Sequence, residues 1–92
     1  MLDKYVIFTT HARERARECQ VTLAKATWLV YTSDANDLPK ELKRAKNAKY
    51  KDRAVYRRNG TYLFTLLPTV DNQTGDEIYL VVTMYDQRMD LR

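Results

Sequence analysis

The sequence predicts an α+β domain in which an N-terminal strand and the helices after it pack on one face of a mainly antiparallel sheet of three to four strands. Three observations carry this. Apolar residues recur at i, i+4 and i+7 in Ala12, Ala16 and Cys19, the spacing of one helix face. Beyond Tyr50 the period drops to two, over stretches rich in β-branched and aromatic residues. Between two of those stretches stands Asn59-Gly60, the strongest short-range hairpin signal. With 92 residues and 45% hydrophobic content there is material for one core, so residues 1–92 are expected to form a single two-layered domain.

Tyr5-Val6-Ile7-Phe8-Thr9 is short, apolar and rich in β-formers, and reads as the first strand. Thr10 is placed to cap the helix that follows, its side-chain oxygen accepting from an N–H of the first turn. That helix turns Ala12, Ala16 and Cys19 inward and Arg13, Glu14, Arg15, Arg17 and Glu18 outward. Cys19 therefore reads as a small core residue and not as a nucleophile. Thr22 caps a second helix, with Leu23, Ala26, Thr27 and Val30 on one face and Ala24, Trp28 and Tyr31 beside them. Its end, Ala26 to Thr32, also fits a strand, but the wide apolar coverage favours a buried helix with Trp28 in the core. Ser33 to Asp37 is a loop by composition. Leu38-Pro39 opens a third, basic helical segment over 38–51, whose stripe of Leu38, Leu42 and Ala45 is too thin to bury much.

Strands are expected over Arg53 to Arg58 and Thr61 to Leu67, joined by a type I′ turn at Asn59-Gly60 and ended by Pro68. Asp71 to Asp76 makes the next turn. Glu77 to Tyr85 is the longest strand, with Ile78, Leu80, Val82 and Met84 expected against the helices and Tyr79, Val81, Thr83 and Tyr85 on the other side.

The net charge is +4, and its distribution says more than its size. Nine of the sixteen Lys and Arg residues fall between Lys40 and Arg58, opposed only by Glu41 and Asp52, so that segment carries +7 and the remainder −3. Concentrated basic charge suits counterion release from a nucleic acid, which makes Lys40, Lys43, Arg44, Lys46, Lys49, Lys51 and Arg53 the candidate RNA-binding residues. One cysteine cannot form an internal disulfide, and one histidine cannot complete a zinc site with it at any usual spacing. No stretch approaches the roughly 20 apolar residues of a membrane span, and no signal-peptide pattern opens the chain. The expectation is a cytoplasmic, metal-free protein without cofactor.

The only histidine, His11, stands four residues before Arg15, so the two share one helical face. A group that titrates near neutrality beside a permanent cation can serve proton transfer and phosphate neutralisation. Arg57, on the face alternate to Tyr56, and Tyr85, near the end of the last strand, are the candidates from the sheet to complete such a site.

The residues Thr9, His11, Ala12, Arg15, Val21 and Thr22, followed late by Thr83-Met84-Tyr85, resemble a widespread family of small proteins with a Thr-x-His-Ala start, an Arg four after the His, and a closing Thr-x-Tyr strand. That family is grouped with the RelE and BrnT toxins among barnase-like, colicin-like and RelE-like ribonucleases. Cys19 and Gln20 stand where it usually has Arg-Gly, and the Lys-rich segment is longer than its usual connection. The resemblance implies a RelE-like fold and a metal-independent endoribonuclease, toxin-like, with His11 as acid or base and Arg15 as phosphate clamp. Implied partners are RNA, ribosome-bound mRNA included, and an antitoxin protein. The alternative is a non-catalytic binding or inhibitor protein of a phage or mobile element, on the same scaffold, that works through its basic segment.

Overall fold

The computed structural model describes residue 2 and residues 4–35 and 54–90. The basic segment expected to be helical over 38–51 lies outside the described residues. Two helices and five strands follow in the order β1 (Tyr5–Phe8), α1 (Thr10–Glu18), α2 (Leu23–Tyr31), β2 (Asp34–Ala35), β3 (Val55–Asn59), β4 (Tyr62–Val70) and β5 (Glu77–Asp86), closed by a 3-10 turn at Gln87–Asp90. The sheet has the order β1-β5-β4-β3-β2. Strands β2 to β5 pair antiparallel, whereas β1 runs parallel to β5, Tyr5 against Ile78 through Phe8 against Val81. The α+β class holds, but the sheet is mixed and has five strands, not three to four. The extra strand is β2, which pairs Asp34 and Ala35 with Arg58 and Arg57. Two residues are too few to give a periodic signal, and their composition is that of a loop.

Thr9, not Thr10, caps α1: its hydroxyl accepts from the Ala12 N–H at 3.1 Å. The same hydroxyl donates toward the Val81 and Val82 carbonyls at 3.1 and 3.3 Å, so one side chain ties the end of β1, the start of α1 and the middle of β5. Helix α1 ends in a Schellman motif, with Val21 N–H bonded to the Ala16 carbonyl and Gln20 N–H to that of Arg17. Gln20 holds the left-handed position of that motif, at φ +60°. Thr22 caps α2 as expected, accepting from the Lys25 N–H.

Both helices lie on one face of the sheet. Ala12, Ala16, Ala26, Leu29 and Val30 pack against Phe8, Phe64, Leu66, Val81 and Met84 to form the core, with Cys19 buried at its rim as expected. Alanine at the helix contacts lets the axes come close, and each large aliphatic or aromatic side chain so buried contributes about 1.5–3 kcal/mol. Trp28, expected in this core, is 61% exposed. It falls between the buried positions Ala26, Leu29 and Val30, on the flank of α2 turned to solvent.

The expected inward face of β5 is corrected by a bulge. Thr65 pairs with Thr83 but Leu66 pairs with Val81, so Val82 has no partner across the ladder. The alternation therefore changes phase there: before the bulge the core receives Tyr79 and Val81 in place of Ile78, Leu80 and Val82, and after it Met84 faces inward as expected. Ile78 instead lines a hollow of about 230 Å³ with Tyr5, Ile7 and the turn residues Asp71, Thr74 and Asp76.

The β3–β4 hairpin is where the sequence put it, but its turn differs. Asn59 and Tyr62 close the ladder, leaving Gly60-Thr61 as the two-residue loop. Gly60 alone there has positive φ, +61°, the pattern of a II′ turn with glycine first. Asn59 uses its amide elsewhere, donating to the Leu29 carbonyl and the Thr32 hydroxyl at the end of α2. Pro68 does not end its strand. Among the described residues β3 pairs no further than Leu66, so no described strand takes a ladder bond from Pro68 on that side.

Candidate functional site

Helix α1 has three flanks. Ala12, Ala16 and Cys19 face the core, His11, Arg15 and Glu18 face the far end of β5, and Arg13, Arg17 and Gln20 face the start of α2. The second flank meets β5 because of the strand lengths. β1 stops opposite Val81, while β5 runs on to Asp86. Past that point the edge of β5 has α1 beside it in place of a strand.

Two long-range contacts fix this flank. His11 Nε2 lies 3.4 Å from the Thr83 hydroxyl, a long contact in which the donor depends on the imidazole tautomer. Arg15 Nε donates to the Met84 carbonyl at 3.1 Å, and its Nη1 meets Glu18 at 2.6 Å. His11 is exposed, so a ligand has access to the imidazole. Tyr85 follows two residues after Thr83 on the same side of β5, half-buried, and pairs across the ladder with Leu63. Three of the four residues proposed for chemistry, His11, Arg15 and Tyr85, thus belong to α1 and the adjoining end of β5.

Arg57 does not join them. It sits on β3, separated from β5 by β4 and turned to the helix side. Its Nε donates to the Ser33 hydroxyl at 3.0 Å, and its Nη2 to the Ser33 carbonyl. Ser33 is itself buried and donates its hydroxyl to the Val30 carbonyl, so Arg57 closes the C-terminal end of α2 onto β3. The RNA-binding candidates Lys40, Lys43, Arg44, Lys46, Lys49, Lys51 and Arg53 lie outside the described residues. Among the described residues, no three of His, Cys, Asp and Glu gather closely enough to hold a metal ion. No helix there is long and apolar enough to cross a membrane.

No family model, curated protein or solved structure matches this chain.

Two further groups stand near the far end of β5. Asp86 is buried and takes Arg88 Nε at 3.2 Å, Nη2 at 2.9 Å and the Arg88 N–H at 3.1 Å. These bonds hold the Asp86 carboxyl below the usual carboxylate range, against the opposing effect of its burial. Arg88 also lies over the Tyr62 ring and donates to its hydroxyl. Burial pushes the Cys19 thiol up, with the Arg15 charge pulling the other way to a smaller extent. The cluster around Asp86 carried no sequence signal, because an acid near the end of a strand is ordinary until its partner is known. Thr83 did carry one, since it belongs to the closing Thr-Met-Tyr run.

Proposed function

We propose that the chain is a RelE-like, metal-independent endoribonuclease that cleaves RNA through attack by a ribose 2′-hydroxyl. The observation that carries the reading is the approach of His11 to Thr83, two residues 72 apart in sequence that the family resemblance had singled out separately. In the reaction a base takes the 2′-hydroxyl proton, and the oxygen attacks the adjacent phosphorus. The 5′-oxygen leaves with a proton from an acid, giving a 2′,3′-cyclic phosphate and a 5′-hydroxyl. His11 performs one of these proton transfers, its imidazole oriented by the Thr83 hydroxyl. Tyr85 is the candidate for the other. Arg15 releases Glu18, an exposed pair of little net worth, and turns its fork to the phosphate oxygens.

A second reading, a binding protein without catalysis, is favoured by the state of the two arginines. Arg15 is engaged by Glu18 and Met84, and Arg57 by Ser33, so no unpaired guanidinium stands beside His11 from either. Growth after induced expression of wild type and His11→Ala, with total RNA run on a gel, separates the two. Arrest and new RNA fragments in the wild type alone support the nuclease. Intact RNA in both, with binding abolished by Lys43→Gln, Arg44→Gln and Lys46→Gln together, supports the binding protein.

A further inference from the structure

The third flank of α1 borders a cleft of about 430 Å³ that neither reading uses. Ala16 and Val21 form its floor, and Arg13, Arg17, Gln20 and Thr22 its rim. A volume of this size is in the range of small-ligand pockets, roughly 300–1,000 Å³. No acidic side chain lines it.

Its charge is unbalanced. Arg13 and Arg17 are four residues apart on one helix, where like charges repel. The ion pairs of the described residues are Lys4–Glu77, Arg15–Glu18 and Arg88–Asp86, and neither arginine takes part. Glu18 is spent on Arg15, on the other flank. Neither guanidinium on the lip of the cleft makes an ion pair among the described residues, and the nearest acid on the helix, the exposed Glu14, does not line the cleft.

Gln20 adds an independent sign. It occupies the left-handed position of the Schellman motif, where glycine fits without cost and a side chain costs roughly 1–2 kcal/mol. Residues held in such positions cluster at functional sites and ligand clamps. The Gln20 side chain lines the cleft, where its amide is a neutral donor beside two charged ones.

We propose that this cleft is a phosphate-binding site, in which the Arg13 and Arg17 guanidiniums and the Gln20 amide hold one phosphate group. The guanidinium fork matches phosphate geometry and stays charged at every relevant pH. The site lies on a different flank of α1 from His11, so it does not depend on cleavage. The phosphate belongs either to the backbone of a polynucleotide or to a free or terminal phosphate.

The test is a titration of the full chain, followed through the arginine Nε–H and backbone N–H resonances. One arm uses a single-stranded decamer of deoxythymidine with hydroxyls at both ends, which contains phosphodiesters only and has no 2′-hydroxyl to attack; the other uses inorganic phosphate. Saturable shifts at Arg13, Arg17, Gln20 and the start of α2 are expected, separate from those the decamer causes at His11, Arg15 and the basic segment. Response to the decamer alone assigns the site to a polynucleotide backbone, and response to inorganic phosphate assigns it to free or terminal phosphate. Arg13→Gln with Arg17→Gln should weaken binding at least tenfold and, for the decamer, reduce the log–log salt slope by about 0.7, the value for one phosphate on a single strand. Arg58→Gln, away from the cleft, should leave the shifts in place. Gln20→Gly should weaken binding severalfold while raising the melting temperature, a split that a merely structural residue would not give. Arg13, Arg17 and Gln20 resonances that do not move with either probe, or affinity at them unchanged in the folded double variant, overturn the proposal. His11→Ala should leave this binding intact, so failure of the cleavage reading and failure of the phosphate site are told apart.

Discussion

Arg57 offers the sharpest separation of structural from catalytic roles, because the sequence made it a candidate for chemistry and the fold gives it another task. Arg57→Gln removes a hydrogen bond to the Ser33 hydroxyl and another to the Ser33 carbonyl, both from a charged donor. Such bonds are worth about 1.5–3 kcal/mol each when the partner stays buried. Ser33 is buried but Arg57 only partly so, and the Ser33 hydroxyl keeps its own bond to the Val30 carbonyl. A net loss of about 2 kcal/mol is therefore expected. Unfolding entropy near 2.1 cal/mol/K per residue amounts to about 0.19 kcal/mol/K for a chain of this size. The melting temperature should then fall by about 10 °C, as read by circular dichroism. Ser33→Ala should be less than additive with Arg57→Gln by about 1 kcal/mol, since both remove the same hydroxyl contact. RNA cleavage, assayed well below both melting points, should stay within about threefold of wild type. An unchanged melting temperature with a hundredfold loss of cleavage would refute the assignment and return Arg57 to the active site.

Thr9→Val keeps the shape of the side chain but removes the cap of α1 and the bonds to β5. It should cost about 1–2 kcal/mol in urea denaturation, more than Thr10→Val, which caps nothing. The depressed Asp86 carboxyl makes stability pH-dependent in a definite sense. Its contribution is fully present above the unfolded value of about 3.9 and is lost as pH falls through the lower folded value. Asp86→Asn should accordingly lower the urea midpoint at pH 7, with the gap to wild type closing at strongly acid pH; a constant gap would show that the charge is not responsible. Cys19 is buried with its thiol pushed up, so a disulfide reagent at neutral pH should label it only as fast as the fold opens, and denaturant should raise that rate steeply.

Local features of the fold were legible in the residues. The helical spacing of Ala12, Ala16 and Cys19, the Thr22 cap and the site of the β3–β4 hairpin all follow from interactions within a few residues. Features set by distant partners were not. Period-two counting assumes an unbroken strand, so the bulge at Val82 reversed the assignment of the core face before it and left that of Met84 right. Trp28 was placed by size and propensity, but its exposure depends on which flank of α2 the sheet leaves uncovered. The pairing of His11 with Arg15 is helical geometry and was visible, whereas its approach to Thr83 depends on β5 outrunning β1, a difference of strand length. For Arg57, alternation gave the face but not Ser33, whose hydroxyl comes from the other side of the long basic segment.

The parallel pairing of β1 with β5 has a consequence in time. Phe8, Ala12, Ala16 and Val30 have little to bury themselves on until Phe64, Leu66, Val81 and Met84 have been made. Chains leave the ribosome at about 5–20 residues per second, and contacts so distant in sequence are among the slower ones to form. The first 35 residues therefore wait several seconds without a sheet, their two short helices only marginal alone, and His11 meets Thr83 only when synthesis of β5 is nearly done. Whatever the two do together is withheld from the nascent chain, and a messenger cut short before β5 yields a product with neither core nor site.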